Sequence, residues 1–483
     1  MSDRRLSAST SRDTVTLSLA SHTNVGKTTM ARTLLRREVG IVRDEANVTV
    51  FNESHVMHTA GDATLRLWDT PGFSDTGRLL KRLKQRSNKL LWFLTQTWDR
   101  FRNKELWCSQ QALANVREEA DVVLYLINAV QGPGAEPFVD QEMEILGWLG
   151  KPVLALLNQT GPPRPSNEEA AEETAWREYL GKFPIVQEVL NLDAFTRCWV
   201  QEVHLMAKIQ SVLPEHKQDA FKLLMAAWVD RNEDIFAGSM RVLSNQLTAN
   251  VLDGIAVKPE TLIQKLGFNR SDLEKEWSEA RQRLSESLAS RAEHSMNQLI
   301  NLHGLEGTDE HGDAMKVARN DFAEPQEVEA ELWSAISGIA SGALAGLVVD
   351  LKAGGLTFGG GALLGGISGG LGAYALIKTY NLTRGDDNKL HWSKEHFHEQ
   401  VKLALLSYLA VAHFGRGRGA WKRDPRPEFW SREVKDVVDA RKDRLDAVWK
   451  KASKKDASLG VVHDDLQSLM LQMGSAVLKR LYP

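Results

Sequence analysis

Up to about residue 195, short apolar runs alternate with longer stretches of helical spacing. Segments 14–21, 63–69, 122–128, 153–157 and 184–190 are the strand candidates, each short and rich in aliphatic residues. Strands that alternate with helices predict an α/β domain with a mostly parallel sheet. From residue 196 to 331 the period becomes helical and strands are hard to find. Ser271-Asp-Leu-Glu274 has the form of a capping box. Leu273, Trp277, Ala280, Leu284, Leu288, Ala292, Ser295 and Leu299 follow at three-to-four spacing, which predicts a long amphipathic helix. After Tyr380 charged amphipathic helices return, with Val434, Val437, Val438, Leu445, Val448 and Trp449 on one stripe.

One segment breaks both patterns. Residues 332–349 are 18 positions without a charge, Asp350-Leu-Lys352 follows, and 353–377 are 25 more uncharged positions. No other stretch is long enough for a bilayer span. Gly338, Gly342 and Gly346 recur every four residues, as do Gly361, Gly365 and Gly369, so one face of each helix is nearly bare backbone. Trp333 before the block, and Tyr374, Tyr380 and Trp392 after it, suit an interface, with Lys378 and Arg384 beside them. Ten of the 25 residues in 353–377 are Gly, each weakening a helix by ~1 kcal/mol relative to Ala. A helical hairpin is therefore expected over 332–380, either dipping into one leaflet or buried in a soluble core.

Length changes the picture only by dividing it. At about 150 residues per domain, 483 residues suggest two to four domains. The boundaries expected are a flexible tail at 1–13, an α/β domain at 14–195 with a basic insertion at 78–107, a helical domain at 196–331, the Gly-rich hairpin at 332–380, and a helical region at 381–483. The 60 Lys+Arg and 63 Asp+Glu give a net charge of −3, so no global basic field favours nucleic acid. Only Cys108 and Cys198 occur, without metal-ligand spacing, and the polar start argues against a cleaved signal peptide. A reducing cytoplasm is the expected setting, at the inner face of the cell membrane if the hairpin makes contact there.

Candidate chemistry begins at Ser21-His-Thr-Asn-Val-Gly-Lys-Thr28, between a predicted strand and a predicted helix. This is the place and form of a phosphate-binding loop. Backbone N–H groups and the helix N-terminus offer positive partial charge, Lys27 reaches the terminal phosphates, and Thr28 ligates Mg²⁺. Ser21 stands where the pattern opens on Gly, and a positive φ there would strain a side chain. One strand further on, Leu65-Arg-Leu-Trp-Asp69-Thr-Pro-Gly72 puts a carboxylate at a strand end, then a tight turn.

Asn-Val-Gly-Lys-Thr and Asp-Thr-Pro-Gly together resemble the TrmE/Era/septin-like class of translation-factor-type GTPases, over residues 14 to about 195. Beyond that, the Gly-rich block and His413-Phe-Gly-Arg-Gly-Arg-Gly419 resemble a bacterial GTPase subgroup with an uncharacterised C-terminal domain. The resemblance implies GTP and Mg²⁺. It places Lys27 on the phosphates, Thr28 and Asp69 around Mg²⁺, and Gly72 as the γ-phosphate sensor, with Asn24, Val25, Gly26 and Thr29 completing the loop. Asn24 is the position that implies a potassium ion. Thr49, in Ala46-Asn-Val-Thr49, stands where a switch threonine on Mg²⁺ belongs; an ordinary β-region threonine is its other reading. Phe73 stands where many GTPases carry a water-orienting Gln, and its ring cannot hydrogen-bond water, so hydrolysis is expected to be slow or assisted by another group.

Base recognition departs further from the family. Where Asn-Lys-x-Asp is expected, the chain has Asn158-Gln-Thr-Gly161. Asn158 can contact the purine, but the carboxylate that would accept from guanine N1 and N2 is absent, which leaves selectivity over ATP open. Asp193-Ala194 suits the remaining guanine-contacting loop, with Ala194 in the binding set.

Between 78 and 104 there are nine Lys/Arg against one acid, Asp99, interleaved with Trp92, Phe93, Trp98 and Phe101. Such a helix suits an anionic membrane or an acidic protein partner; an elongated helix with aromatics packed inward and charges solvated is the bland reading. Arg416, Arg418, Lys422 and Arg423 suit lipid phosphates or a neighbouring subunit's nucleotide, or are solvated loop charges. His396 and His398, two apart, cannot share a helix face and are expected as a surface cluster rather than a metal site. His22 is expected to point away from the phosphates.

The expected protein is a GTP-binding switch that hydrolyses GTP and acts at a membrane surface or on a protein partner, its oligomeric state open. The alternatives are an Era-like RNA- or ribosome-associated GTPase, disfavoured by the near-neutral charge, and a non-hydrolysing nucleotide-binding scaffold, suggested by Ser21, Phe73 and Gly161.

Overall fold

In the computed structural model the described residues are 13–37, 39, 52–74, 76–84, 104–257, 270–305, 382–384, 389–415, 427–454 and 456–483. Thr49, residues 85–103 of the basic insertion, the block 332–380, the tail 1–12 and the basic cluster 416–423 lie outside them. The chain forms two compact units: 1–235 with 412–422 and 481–483, and 236–411 with 423–480.

The first unit is built on six strands: β1 (Thr14–Ala20), β2 (Glu53–Ala60), β3 (Ala63–Asp69), β4 (Val122–Asn128), β5 (Val153–Asn158) and β6 (Val186–Asn191), in the order β2-β3-β1-β4-β5-β6. All neighbours pair in parallel except β2 with β3. β2 escapes the sequence pattern because it is an edge strand with one buried residue, Met57, and so carries no apolar alternation.

The central strands are apolar on both faces, as parallel strands covered by helices must be. On one face Val122, Leu124 and Leu126 pack with Met30 and Leu34 of α1 (Lys27–Leu35). The same cluster takes Leu205, Met206 and Ile209 from α6 (Trp199–Val212), and Phe221, Leu224 and Trp228 from the first turns of α7 (Glu215–Leu252). On the other face Val123, Tyr125 and Ile127 pack with α2 (Thr76–Lys84), α3 (Lys104–Glu118), α4 (Pro137–Gly147) and α5 (Ser166–Leu180). Each fully buried aliphatic or aromatic side chain contributes about 1.5–3 kcal/mol. The first unit thus runs past residue 195 because α6 and the start of α7 supply one covering layer. Glu202 anchors that layer: it is fully buried, 3.1 Å from Arg36 at the end of α1, and paired with Arg197. Arg36 also donates to Asn232 Oδ1 at 2.5 Å.

The second unit is mainly helical: the rest of α7, α8 (Arg270–Leu302), α9 (Lys394–Ala412), α10 (Glu428–Asp439), α11 (Lys442–Ala452) and α12 (Leu459–Leu481). α8 follows the expected stripe, with Trp277, Ala280, Leu284, Leu288 and Leu299 buried. The stripe expected across 434–449 is split between α10 and α11; Val434, Val437 and Val438 are buried on one, Leu445 and Val448 on the other, and Trp449 is half-buried. A three-stranded antiparallel sheet also occurs here, β7 (Ile255–Ala256), β8 (Leu382–Arg384) and β9 (Lys389–Trp392), in the order β7-β9-β8. Strands of two to four residues are too short to show a period.

His396 and His398 are not a surface cluster: they are 3% and 8% exposed. His396 lies on the apolar side of α9, stacked on Trp392 with ring centroids 4.2 Å apart, while His398 Nε2 is 2.9 Å from Asp446 Oδ1. Among the described residues no group of three His, Cys, Asp or Glu is placed to hold a metal ion, and no helix is long and apolar enough to cross a membrane.

Burial, reinforced by the Arg281 charge, lowers His396 to about 4. The unfolded chain takes up this proton near pH 6.5, so below that pH the unfolded state binds more protons and stability falls until the folded pKa is reached. His396→Phe, which keeps the stack on Trp392, is expected to remove about 3 kcal/mol of the stability lost between pH 6.5 and 4. Denaturant unfolding of the two proteins across that range is the measurement; an unchanged pH slope counts against it.

Candidate nucleotide site

β1 delivers the chain into the loop 21–26, and α1 opens at Lys27. Ser21 does not need the left-handed region: positive φ falls on Asn24 (64°) and Gly26 (97°). Asn tolerates that conformation and Gly is suited to it. A Cβ on Gly26 would also come within 2.8 Å of Asn158 Nδ2. α1 begins without a side-chain cap and with no acid in its first turn, so its N-terminal N–H groups present their positive end to the loop. Lys27 is 7% exposed and folds back over the loop, donating to Ser21 Oγ at 3.0 Å and His22 O at 3.1 Å. Burial lowers its ammonium to about 8, against the pull of Asp69 and Glu142.

The parallel register of β1 and β3 sets Leu19 beside Asp69 and brings the two strand ends together. Thr28 Oγ1 donates to Asp69 Oδ2 at 2.6 Å. Asp69 Oδ1 is buried with no hydrogen-bond partner among the described residues. Burial raises the Asp69 carboxyl to about 6, although Thr28 and Lys27 oppose the shift. A buried carboxylate oxygen left unmatched beside a threonine hydroxyl fits a small, hard divalent cation such as Mg²⁺.

Pairing continues past the strands. Phe73 N–H donates to Ser21 O at 2.9 Å, Thr23 N–H donates to Phe73 O at 3.1 Å, and His22 and Phe73 form a parallel bridge. Gly72 is held so close that a Cβ on it would lie 2.8 Å from Thr23 Cα. The Phe73 ring is 2% exposed and sits in the core with Leu79, Leu80 and Leu113. The side chain after Asp-Thr-Pro-Gly therefore serves packing.

The loop after β5 is tied to the loop at 21–26 through Asn158. Fully buried, it donates from Nδ2 to Val25 O at 2.7 Å and accepts at Oδ1 from Ala194 N–H at 2.8 Å. Thr33 of α1 donates to Ala194 O at 2.7 Å. Asp193 Oδ2 accepts from Thr160 N–H at 2.6 Å and Thr160 Oγ1 at 3.1 Å, and Oδ1 accepts from Phe195 N–H at 2.7 Å. Residues far along the chain brace this loop: Gly415 N–H donates to Phe195 O at 3.1 Å, and Thr196 bridges Phe414.

Lys27, Thr28, Asp69 and Gly72 thus converge at the ends of β1 and β3, Val25 and Asn158 join the two loops, Thr29 is buried in α1, and Asn24 is exposed at the loop tip. Sequence reasoning missed Glu142. It is fully buried and accepts from Thr76 Oγ1 at 3.0 Å and Tyr125 Oη at 2.7 Å, with His22 Nδ1 2.8 Å away. His22 is turned from the phosphate loop toward α4, its ring stacked on Phe138 at 4.0 Å. Burial and the Glu142 charge push the Tyr125 phenol well up, keeping it a donor. The available signal was a lone Glu on the apolar face Val139, Met143, Leu146.

Residues 16–159 match the family described as 50S ribosome-binding GTPase, and residues 177–470 match the family described as a domain of unknown function, DUF3482. No curated protein matches the chain. Among solved structures, it is similar to Era from Aquifex aeolicus bound to GDP and AlF4⁻, at 22% identity and a TM-score of 0.32, covering 42% of this chain and 58% of that one. It is similar also to Toc33 from Arabidopsis thaliana in complex with Mg²⁺ and GMPPNP, at 15% identity and a TM-score of 0.26, covering 47% and 87%. The mGMPPNP-bound NFeoB of S. thermophilus gives 16% identity and a TM-score of 0.23, covering 48% and 71%. The chain thus spans less than two thirds of the Era structure's length. Because 177–470 is more than half of the 483 residues, the chain belongs to the DUF3482 family, here with an α/β P-loop GTPase domain ahead of an uncharacterised helical region.

Proposed function

We propose that the protein binds Mg²⁺–GTP and hydrolyses it slowly as a nucleotide switch. The observation that carries the reading is the unmatched, buried Asp69 Oδ1 beside the Thr28–Asp69 contact, at the mouth of a loop whose N–H groups and Lys27 suit phosphates. Thr28 and Asp69 would hold the cation, with Thr49 as a further ligand, and Mg²⁺ bound there would neutralise phosphate charge. Gly72 lies against Thr23, so a γ-phosphate there alters the pairing of Phe73 with the loop. Thr76 at the start of α2 carries that change onward through Glu142. Slow hydrolysis follows from the buried Phe73 ring, which orients no water. Asn24 is the proposed potassium contact.

The output is proposed as contact with an anionic membrane, or with an acidic protein partner, through 78–104 and the uncharged block 332–380, at the inner face of the cell membrane. The sequence of both segments supports it. RNA association is the competing reading, and a salt-sensitive shift with ribosomes or RNA would favour it.

Lys27→Ala is expected to weaken guanine-nucleotide binding roughly 100-fold in equilibrium titrations, by removing a charge-assisted contact. Retained affinity would sink the assignment of this loop. Single-turnover phosphate release should be faster in potassium than in sodium; equal rates remove the role of Asn24. Asn158→Ala leaves Val25 O and Ala194 N–H without their partner and should lower stability by about 1–3 kcal/mol, read from denaturant midpoints without nucleotide. Liposome co-sedimentation should differ between GDP and a non-hydrolysable GTP analogue, and deletion of 85–103, which spares the core residues Leu79, Leu80 and Leu83, should abolish the difference. A difference that survives the deletion contradicts the lever.

A further inference from the structure

We propose that Asp193 is the group that reads the purine base, supplying from the loop after β6 the carboxylate that the loop after β5 lacks. The inference rests on the GTP-binding reading and deepens it. In an open α/β sheet a ligand lies beyond the carboxyl ends of the strands. With phosphates on 21–28, the base falls between the loops that follow β5 and β6, because Asn158 at the end of β5 bonds both the phosphate loop, at Val25 O, and the β6 loop, at Ala194 N–H.

Those two loops read Gln159-Thr-Gly-Pro-Pro-Arg-Pro165 and Leu192-Asp-Ala-Phe-Thr-Arg197, and Asp193 is their one acidic residue. Its carboxylate is not at the far end of its loop. Oδ2 lies 2.6 Å from Thr160 N, so the carboxylate sits one residue from Gly161, where nothing lies within 4 Å of an added Cβ. The charge has in effect crossed from one loop to the other while keeping the same neighbourhood.

Its orientation is fixed by main chain. Thr160 N–H holds one oxygen and Phe195 N–H the other, at 2.6 and 2.7 Å. The loop that carries it is held in turn by Asn158, by Thr33 at Ala194 O, and by Gly415 at Phe195 O. Such a brace makes a precise acceptor, since a group that discriminates must not follow the ligand. A carboxylate offers about four acceptor positions. The rotatable Thr160 hydroxyl, 3.1 Å from Oδ2, is the contact that a base N–H replaces.

Guanine presents two donors, N1–H and the exocyclic N2–H, to a single carboxylate. Hypoxanthine presents only N1–H. Adenine turns an unprotonated N1 toward it, and xanthine a carbonyl at C2, both repelled. Asp193 thus predicts the affinity order GDP, then IDP, then ADP and XDP. Asparagine at 193 keeps one acceptor oxygen, for N1–H, and offers a donor to the C2 carbonyl, at the cost of one of the two main-chain N–H contacts, which shifts preference from guanine toward xanthine.

The test is competition of GDP, IDP, XDP and ADP, with Mg²⁺, on the full-length protein and on Asp193→Asn, with thermal unfolding of both followed alongside. The wild type should prefer GDP over IDP by about 10-fold or more, and Asp193→Asn should prefer XDP over GDP. A role confined to holding the loop gives no gain for XDP. Loss of GDP binding without that gain, or a GDP preference that Asp193→Asn retains, overturns the proposal while leaving GTP binding intact. Equal wild-type affinity for GDP and IDP also overturns it, and decides the matter if Asp193→Asn does not fold. Failure of the wild type to bind any of the four sinks the GTP-binding reading itself, and this inference with it.

Discussion

The parallel register of β1 with β3 is the constraint on which the rest of the site depends. Leu19 stands beside Asp69, and from there the two chains leave the sheet together. They remain paired through Ser21, Thr23 and Phe73, with Gly72 in van der Waals proximity to Thr23. This places the Thr28 hydroxyl on one Asp69 oxygen and leaves the other unmatched. A slip of one residue would turn alternate side chains to the opposite face and separate the carboxylate from the loop. Two-sided burial is what resists the slip, because Leu17 and Leu19 belong to the core beneath α1.

Electrostatics in this pocket are set by burial before any ligand arrives. Lys27 is held below its ordinary range and Asp69 above its own, each for want of water. In each case the charged form is the one that burial penalises, so a ligand that brings a cation to the carboxylate and an anion to the ammonium relieves both. That complementarity suits the metal-bound polyphosphate proposed for this loop. The loops after β5 and β6 are organised differently, by neutral ties from Asn158 and Thr33 and by the return of the chain at 414–415. The DUF3482 match therefore bears on the nucleotide unit too, since it includes Asp193, the covering helix α6 and Phe414–Gly415.

What the sequence made legible was whatever carries a period or a motif. β4 and β5 showed because two covered faces demand continuous apolar runs, β1 and β3 because apolar residues alternate along them, and α8 because Trp277 to Leu299 keep one stripe. The loop at 21–28 and Asp69 stood out because their residue types fall at the fixed spacing of a known motif. β2 did not, since an edge strand buries too little, and β7 to β9 are too short. The break between α10 and α11 was hidden because Val438 and Leu445 happen to extend one helical stripe across it. Glu142, the Asp193–Thr160 contact and the bridge at Phe414 join residues far apart in sequence, and no spacing rule reaches them. Buried histidines at 396 and 398 were misjudged because their cover comes from Trp392 and from a helix some 50 residues later.

The proposed metal-assisted phosphate site joins the loop at 21–28 to Asp69. Titration calorimetry of the full-length protein with GDP, in excess Mg²⁺ and again in excess chelator, tests it most directly. Such a site gives saturable one-to-one binding that weakens at least 10-fold when Mg²⁺ is removed, and Asp69→Asn loses that dependence. Binding with the same affinity in both conditions, or no binding in either, would contradict it.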